Sequence, residues 1–234
     1  MEKMAFGDSG VLYCGDAFEI LPTLEDGTID SVISDPPYGV TNHSWDQAPP
    51  FDKMWLLLEK KSKQNANFVL FGCGGFTIDL INSKRHWYRY NLTWIKNNKT
   101  GFLNSRLMPM RNTEDVLIFG KPGFQKIATF NPPQGTTHPC SALAFDHDRG
   151  NGQQGLNLHE TQKPLNLMGY LLMLYSNPGD LVLDPFAGSG TTLEAALRLG
   201  RRFVGIERER RYYEVACKRL EEVHRRRSAR RFAG

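Results

Sequence analysis

Apolar and polar residues alternate along the chain in short runs that predict strands and helices in turn. Runs rich in β-branched and other apolar residues predict seven strands, at Gly10–Cys14, Ile29–Ser34, Asn67–Phe71, Leu92–Ile95, Asp115–Phe119, Leu181–Leu183 and Phe203–Ile206. Apolar positions at helical spacing predict four helices, at Phe51–Lys63, Leu165–Tyr175, Thr192–Leu199 and Arg211–Val223. This order is typical of an α/β fold with a mainly parallel sheet covered on both faces.

One long segment interrupts the alternation. Between residues 97 and 157 a single run predicts a strand, and Gly, Pro, Asn, Thr and His dominate the rest. Such a long irregular stretch is unusual inside a compact domain and tends to be functional. A chain of 234 residues is long enough for one sizeable domain and short for two. We therefore predict a single domain, residues 1–234, with an inserted recognition segment at about 97–157 and a basic tail from about residue 224.

The charge is unevenly distributed. Residues 201–234 contain twelve Lys or Arg and five Glu, whereas the net charge of the whole chain is only +4. Residues 84–112 contain seven Lys or Arg, no Asp or Glu, and five interleaved aromatic residues. This combination suits a surface that neutralises phosphates and stacks on bases. In the strand-like part, Tyr90–Lys96, aromatic residues turned into the core are the favoured interpretation. In the turn-rich part we predict that Lys99, Arg106 and Arg111 bind nucleic acid.

Other partner classes find no support in the sequence. No apolar run approaches the length that spans a membrane, and the N-terminus lacks the pattern of a signal peptide, so we expect a cytoplasmic protein. His138, His147 and His159 do not combine with acidic residues at the spacing of metal ligands. We therefore predict neither a membrane partner nor a metal site.

The string Asp35-Pro36-Pro37-Tyr38 directly follows a predicted strand. In an open parallel sheet, ligands bind beyond the carboxyl ends of the strands. The two prolines make this turn rigid, and the Pro36 carbonyl is free to accept a hydrogen bond beside the Asp35 carboxylate. Two acceptors next to the flat ring of Tyr38 suit an amino group on a planar base. An ordinary proline-rich turn is the alternative.

A second motif, Asp184–Thr192, leads from a predicted strand into a predicted helix and carries Gly188 and Gly190. Glycines allow the backbone to approach a ligand closely. No Lys follows them, as a P-loop requires, and Leu193 occupies the third glycine position of the dinucleotide fingerprint. Glu207 ends the next strand, where an acid accepts hydrogen bonds from ribose hydroxyls. These features predict a nucleoside cofactor without a pyrophosphate, and S-adenosylmethionine fits that description.

Together the two motifs resemble those of the amino-directed (adenine N6 or cytosine N4) DNA methyltransferases. The catalytic motif precedes the cofactor motif, as in the circularly permuted beta class, with the recognition region between them. The resemblance extends from about Gly10 to Leu220. It implies a Rossmann-like S-adenosylmethionine-dependent methyltransferase fold with a mainly parallel seven-stranded sheet. It also implies double-stranded DNA as the partner and allows a homodimer, and the small size of the chain favours a phage-borne or orphan enzyme.

The resemblance assigns roles to individual residues. Gly15-Asp16-Ala17 resembles the segment whose acid lies near the cofactor adenine, and residues 159–164 resemble a stretch that implies Thr161 and Lys163 near the methionine carboxylate. The implied catalytic residues are Asp35, Pro36 and Tyr38. The implied cofactor-binding residues are Asp16, Ala17, Asp35, Thr161, Lys163, Asp184, Phe186, Gly188, Ser189, Gly190, Thr191, Thr192 and Glu207.

The implied reaction is a direct methyl transfer. Asp35 and Pro36 accept the two hydrogens of the amino group, and Tyr38 stacks on the flipped base. Trp45, in the loop after this motif, is a candidate lid or wedge, with packing beneath the loop as the alternative. Asp at position 35 favours adenine, because cytosine members of the family more often carry Ser there. An RNA or protein amide methyltransferase, whose motif more often begins with Asn, and a catalytically silent DNA-binding module remain as alternatives.

Overall fold

The computed structural model describes residues 2–41, 43, 46–102, 105–123, 127–133, 139–146 and 162–232. Trp45 and Thr161 lie outside the described residues, as does most of the segment from 134 to 157. The predictions made for those residues therefore stay predictions.

A mixed sheet of nine strands forms the centre of the described part, in the order β1-β2-β9-β8-β3-β4-β6-β5-β7. Seven strands point the same way, whereas β1 and β6 are antiparallel to their neighbours. The strands are β1 Glu2–Ala5, β2 Gly10–Cys14, β3 Ile29–Ser34, β4 Ser62–Gly72, β5 Tyr88–Thr100, β6 Arg111–Gly120, β7 Ala142–Ala144, β8 Leu181–Asp184 and β9 Arg202–Glu207. The predicted α/β class with a mainly parallel sheet is confirmed.

The predicted strand number of seven was too low by two. The additional strands, β1 and β7, are the two outer strands of the sheet, and they are only four and three residues long. Strands this short contain too few residues to show the apolar pattern that marks an interior strand, and most of their residues are exposed. All seven predicted strands are present and lie between these two edges.

Helices cover both faces of the sheet. They are α1 Ala17–Ile20, α2 Phe51–Lys61, α3 Gly75–Ser83, α4 Leu165–Tyr175, α5 Thr191–Arg198 and α6 Arg210–Phe232. One core cluster packs α4, α5 and α6 against one face, and a second packs α1, α2 and α3 against the other. The short α1 and the glycine-led α3 were not predicted. In the described part of the chain, no helix is both long and apolar enough to cross a membrane.

The strand order brings the two sequence motifs together. Strand β3 pairs with β8, and β8 pairs with β9, all in parallel. The residues that follow these strands therefore meet at one edge of the sheet, as the carboxyl ends of parallel strands must. The Ser34 hydroxyl donates a 2.5 Å hydrogen bond to Oδ1 of Asp184, which joins the ends of β3 and β8 across 150 residues of sequence.

Candidate active site

A cavity of about 550 Å³ opens at this edge of the sheet, a size typical of small-molecule sites. All three predicted catalytic residues line it. Of the predicted cofactor-binding residues in the described part, every one except Gly190 lines it as well. Arg111 also lines the cavity, whereas Lys99 and Arg106 do not.

Both carboxylate oxygens of Asp35 accept hydrogen bonds from neighbouring side chains. The Tyr38 hydroxyl donates to Oδ1 at 2.6 Å, and the Lys163 ammonium donates to Oδ2 at 2.5 Å. The Asp35 side chain is still 28% exposed, toward the cavity. Burial raises the pKa of Asp35, while Lys163 acts in the opposite direction. The Tyr38 ring packs against Phe76 with centroids 4.9 Å apart, so its position is set by two contacts.

Asp35 is the first member of a row of four alternating charges. Lys163 Nζ lies 3.1 Å from Glu114 Oε2 as well, and Lys96 Nζ lies 2.8 Å from Glu114 Oε1. The side chains of Lys163, Glu114 and Lys96 are 8%, 14% and 7% exposed. Although burial opposes both shifts, the neighbouring opposite charges raise the pKa of Lys163 and lower the pKa of Glu114. We call Asp35, Lys163, Glu114 and Lys96 the charge row.

Sequence reasoning did not identify Glu114 and Lys96 as site residues. Both belong to strands: Lys96 lies in β5, just before the predicted recognition segment, and Glu114 lies in β6, within that segment. The available signal was a charged residue next to a predicted strand, with Lys96 directly after Leu92–Ile95 and Glu114 directly before Asp115–Phe119. Their meeting depends on the antiparallel register of β5 and β6, in which Trp94 pairs with Glu114.

Asp46 holds the loop that follows the catalytic motif. Its two carboxylate oxygens accept hydrogen bonds from four consecutive backbone N–H groups, those of residues 38 to 41, at 2.6–2.9 Å. The residue is only 7% exposed. Although burial raises it, hydrogen bonds from Thr41, Gly39 and Val40 outweigh this effect and lower the pKa of Asp46. These hydrogen bonds fix the backbone of the loop that carries Tyr38.

We call the turn between β8 and α5, residues 185–190, the glycine turn; its backbone requires Gly188 and Gly190. Gly188 and Gly190 have φ values of +52° and +82°, a region that residues with a Cβ rarely adopt. A Cβ on Gly190 would also lie 2.9 Å from the Cβ of Ala216. The space beside Gly188 is open, because a Cβ at that position would have no neighbouring atom within 4 Å. A ligand can therefore approach the backbone at Gly188.

Glu207 connects the glycine turn to the end of β9. Its Oε2 accepts a hydrogen bond from the Gly188 N–H, and its Oε1 accepts one from the Glu209 N–H, both at 2.7 Å. The residue is 8% exposed and lines the cavity. Burial raises the pKa of Glu207 to about 7, although the two backbone donors oppose this shift.

Two other predicted acids also have structural partners. Asp184 is 2% exposed, and it accepts hydrogen bonds from the Ser34 hydroxyl and the Phe186 N–H. Burial raises the pKa of Asp184 to about 6. Asp16 caps α1 by accepting a 2.7 Å hydrogen bond from the Phe18 N–H. Both acids shape the lining of the cavity.

Arg219 is a further residue that the sequence did not mark. From α6 its guanidinium reaches the Thr191 hydroxyl at 2.8 Å and Gln162 Oε1 at 3.0 Å, and it forms an ion pair with Glu194. It thereby ties the glycine turn to the residue that precedes Lys163. A guanidinium has enough donors to hold several acceptors in a fixed arrangement.

The predicted nucleic-acid residues lie on the β5–β6 hairpin. Lys99, Arg106 and Arg111 are all exposed. Arg111 also donates a 3.5 Å hydrogen bond to the Cys73 sulfur at the rim of the cavity. Within the described ranges, no group of His, Cys, Asp and Glu side chains is arranged to hold a metal ion.

Comparison with known proteins agrees with the motifs. The family model for N6 and N4 methyltransferases, described as DNA methylase, matches residues 29–218. The type II methyltransferase M.HinfI of Haemophilus influenzae is 27% identical over 89% of this chain and 67% of its own length. The type II methyltransferase M2.DpnII of Streptococcus pneumoniae is 28% identical over 90% of this chain and 89% of its own length.

Solved structures share the fold. The M1.HpyAVI–SAM complex superposes with a TM-score of 0.68 at 30% identity, covering 89% of this chain and 98% of the other. The PvuII DNA methyltransferase, described as cytosine-N4-specific, gives a TM-score of 0.74 at 19% identity over 93% and 92% of the two chains, which shows the fold alone. The predicted Rossmann-like methyltransferase fold is confirmed. Since the family model also spans most of the sequence, the chain belongs to the N6/N4 DNA methylase family, as its motifs predicted.

Proposed function

We propose that this chain methylates the N6 amino group of adenine in double-stranded DNA, with S-adenosylmethionine as the methyl donor. The observation that carries the proposal is the position of Asp35. Its carboxylate opens into the same cavity as the glycine turn and Glu207. Amino methylation follows from the family, and Asp at position 35 favours adenine over the N4 amino group of cytosine, which is the alternative target.

The residues of the cavity fit S-adenosylmethionine. Glu207 offers carboxylate oxygens to the ribose hydroxyls, and the open space beside Gly188 admits a ligand next to the backbone. Asp16 is assigned to the adenine of the cofactor, and Lys163 and Thr161 to its methionine carboxylate. Phe186 packs beside the cofactor. The acidic lining also complements a cation. When bound, the cofactor supplies an electrophilic methyl group on a sulfonium sulfur.

Asp35 and Pro36 make the amino nitrogen a better nucleophile. Its lone pair is delocalised into the base, and it becomes localised when the carboxylate and the carbonyl accept the two hydrogens. Such contacts accelerate the reaction only because they strengthen toward the transition state. The burial that raises the pKa of Asp35 also makes its carboxylate a better acceptor for the proton that the nitrogen loses.

Tyr38 is assigned to the flipped base. Phe76 packs against its ring and the Asp35 carboxylate holds its hydroxyl, so the ring is placed before the base arrives. Lys99, Arg106 and Arg111 are assigned to the phosphates of the duplex, and residues 97–157 to recognition of the sequence. A base inside the duplex is out of reach of the cavity, so it must be turned out.

The proposed function is tested by incubating the protein with methyl-labelled S-adenosylmethionine and genomic duplex DNA, followed by nucleoside analysis. We expect the label in N6-methyladenine. Label in N4-methylcytosine would contradict the adenine assignment and support the alternative target. Label confined to an RNA or protein sample tested in parallel would contradict DNA as the substrate.

Replacing Asp35→Asn should lower the single-turnover rate of methyl transfer by roughly 100-fold or more, because one charged acceptor is lost. Calorimetric binding of S-adenosylmethionine should weaken much less than the rate. Asp79→Asn is the matched control, since Asp79 is an exposed acid on α3. An Asp35→Asn protein as active as the control would rule out the proposed chemistry.

The affinity for S-adenosylmethionine should depend on pH through Glu207. Its pKa is about 7, and the ionised form accepts the ribose hydroxyls, so the Kd should rise roughly tenfold from pH 8 to pH 6. Glu207→Gln should bind weakly at both pH values and lose this dependence. Asp184 also titrates in this range, which makes the Gln variant the necessary comparison.

Glu25→Gln, at an exposed position, is the control and should keep the wild-type pH profile. A wild-type Kd that is equal at pH 6 and pH 8 would exclude Glu207 as the ribose acceptor. A Glu207→Gln protein whose Kd for S-adenosylmethionine still rises as much from pH 8 to pH 6 would exclude it as well.

A further inference from the structure

The turn between β5 and β6 carries the two most exposed large apolar side chains of the described residues, and a third exposed one. We call the described residues of this turn, 101–102 and 105–110, the hairpin tip. Leu107 is 87% exposed, Phe102 is 77% exposed and Met108 is 55% exposed. Single exposed apolar residues are ordinary on a protein surface, but a cluster marks a contact surface. The hairpin tip therefore has the character of a surface that meets a partner.

The hairpin tip begins at the rim of the cavity. The last residue pair of the two strands is Thr100 with Arg111, and both residues line the cavity. Val40, which follows Tyr38 in the loop held by Asp46, is 57% exposed and lines the cavity as well. A partner that reaches Asp35 through this opening must pass beside the hairpin tip.

The charge around the hairpin tip selects the kind of partner. Lys99, Arg106 and Arg111 are exposed, and residues 84–112 contain no Asp or Glu. An anionic partner with an accessible apolar interior satisfies both the basic and the apolar side chains. Duplex DNA has this chemistry, because phosphates line its outside and stacked bases fill its inside.

We propose that the hairpin tip enters the base stack and that Phe102 and Leu107 occupy the gap left by the flipped adenine. This inference rests on the proposed function, in which the base is turned out. Turning a base out costs its stacking and pairing. Apolar side chains in the gap restore part of the lost contact, and this happens only in the flipped state. Arg106 and Lys99 bind the phosphates on either side and set the register.

The experiment compares two duplexes that contain the methylated site, which is first mapped by sequencing DNA from cells that express the protein. One duplex is fully paired, and the other has an abasic site opposite the target base, so that turning the base out no longer breaks a pair. Phe102→Ala and Leu107→Ala should each lower the single-turnover rate on the paired duplex roughly tenfold. On the abasic duplex each variant should stay within about twofold of the wild-type protein, a loss well short of tenfold.

Leu56→Ala is the matched control, because Leu56 is 67% exposed on α2 and does not line the cavity. It should match the wild-type protein on both duplexes. Arg106→Ala should reduce the slope of the logarithm of the DNA-binding constant against the logarithm of the salt concentration by about one. Phe102→Ala should leave this slope unchanged.

Three results would overturn the inserted hairpin tip. They are an unchanged rate on the paired duplex, an equal loss on both duplexes, and a change from dimer to monomer in sedimentation of Phe102→Ala, which would make the tip a self-association surface. If the wild-type protein methylates neither duplex nor any cellular DNA, the proposed function fails instead.

Discussion

The charge row is the interaction on which the rest of the site depends. A charge removed from water is costly unless an opposite charge lies beside it. In the charge row each buried charge has an oppositely charged neighbour, in the spatial order Asp35, Lys163, Glu114, Lys96. Its members come from the end of β3, the segment before α4, and strands β6 and β5. Electrostatic pairing therefore sets the position of the Asp35 carboxylate relative to the hairpin that carries the proposed DNA contacts.

Parallel pairing of β3 with β8 brings two motifs that are distant in the sequence into one site. The catalytic motif follows β3, and the glycine turn follows β8 late in the chain, yet β3 and β8 are neighbours in the sheet. Three acids at the carboxyl ends of the parallel strands have different positions and contacts. Asp184 joins the two strand ends, Glu207 holds the glycine turn and faces the cavity, and Asp35 opens toward the same cavity. Burial raises the pKa of all three.

Sequence pattern was sufficient for the interior of the fold and for the two motifs, because apolar runs and glycine or proline turns are local signals. It missed β1 and β7, since strands of four and three residues are too short to form a recognisable pattern. It also missed Glu114, whose contact with Lys96 depends on the register of β5 against β6. Contacts between distant segments, such as that of Arg219 with Thr191, cannot be predicted from spacing within one segment.

The coupling within the charge row is tested most directly by a double-mutant cycle on Lys163 and Glu114, read as the free energy of unfolding in urea at pH 7. In the wild-type background Glu114→Gln should lower the free energy of unfolding, because Lys163 and Lys96 each lose the carboxylate with which they pair. After Lys163→Met the carboxylates of Asp35 and Glu114 face each other, so the same change should cost less or stabilise. We expect a coupling free energy of about 1–3 kcal/mol. Additive effects of the two substitutions would contradict the charge row as the interaction that holds the site together.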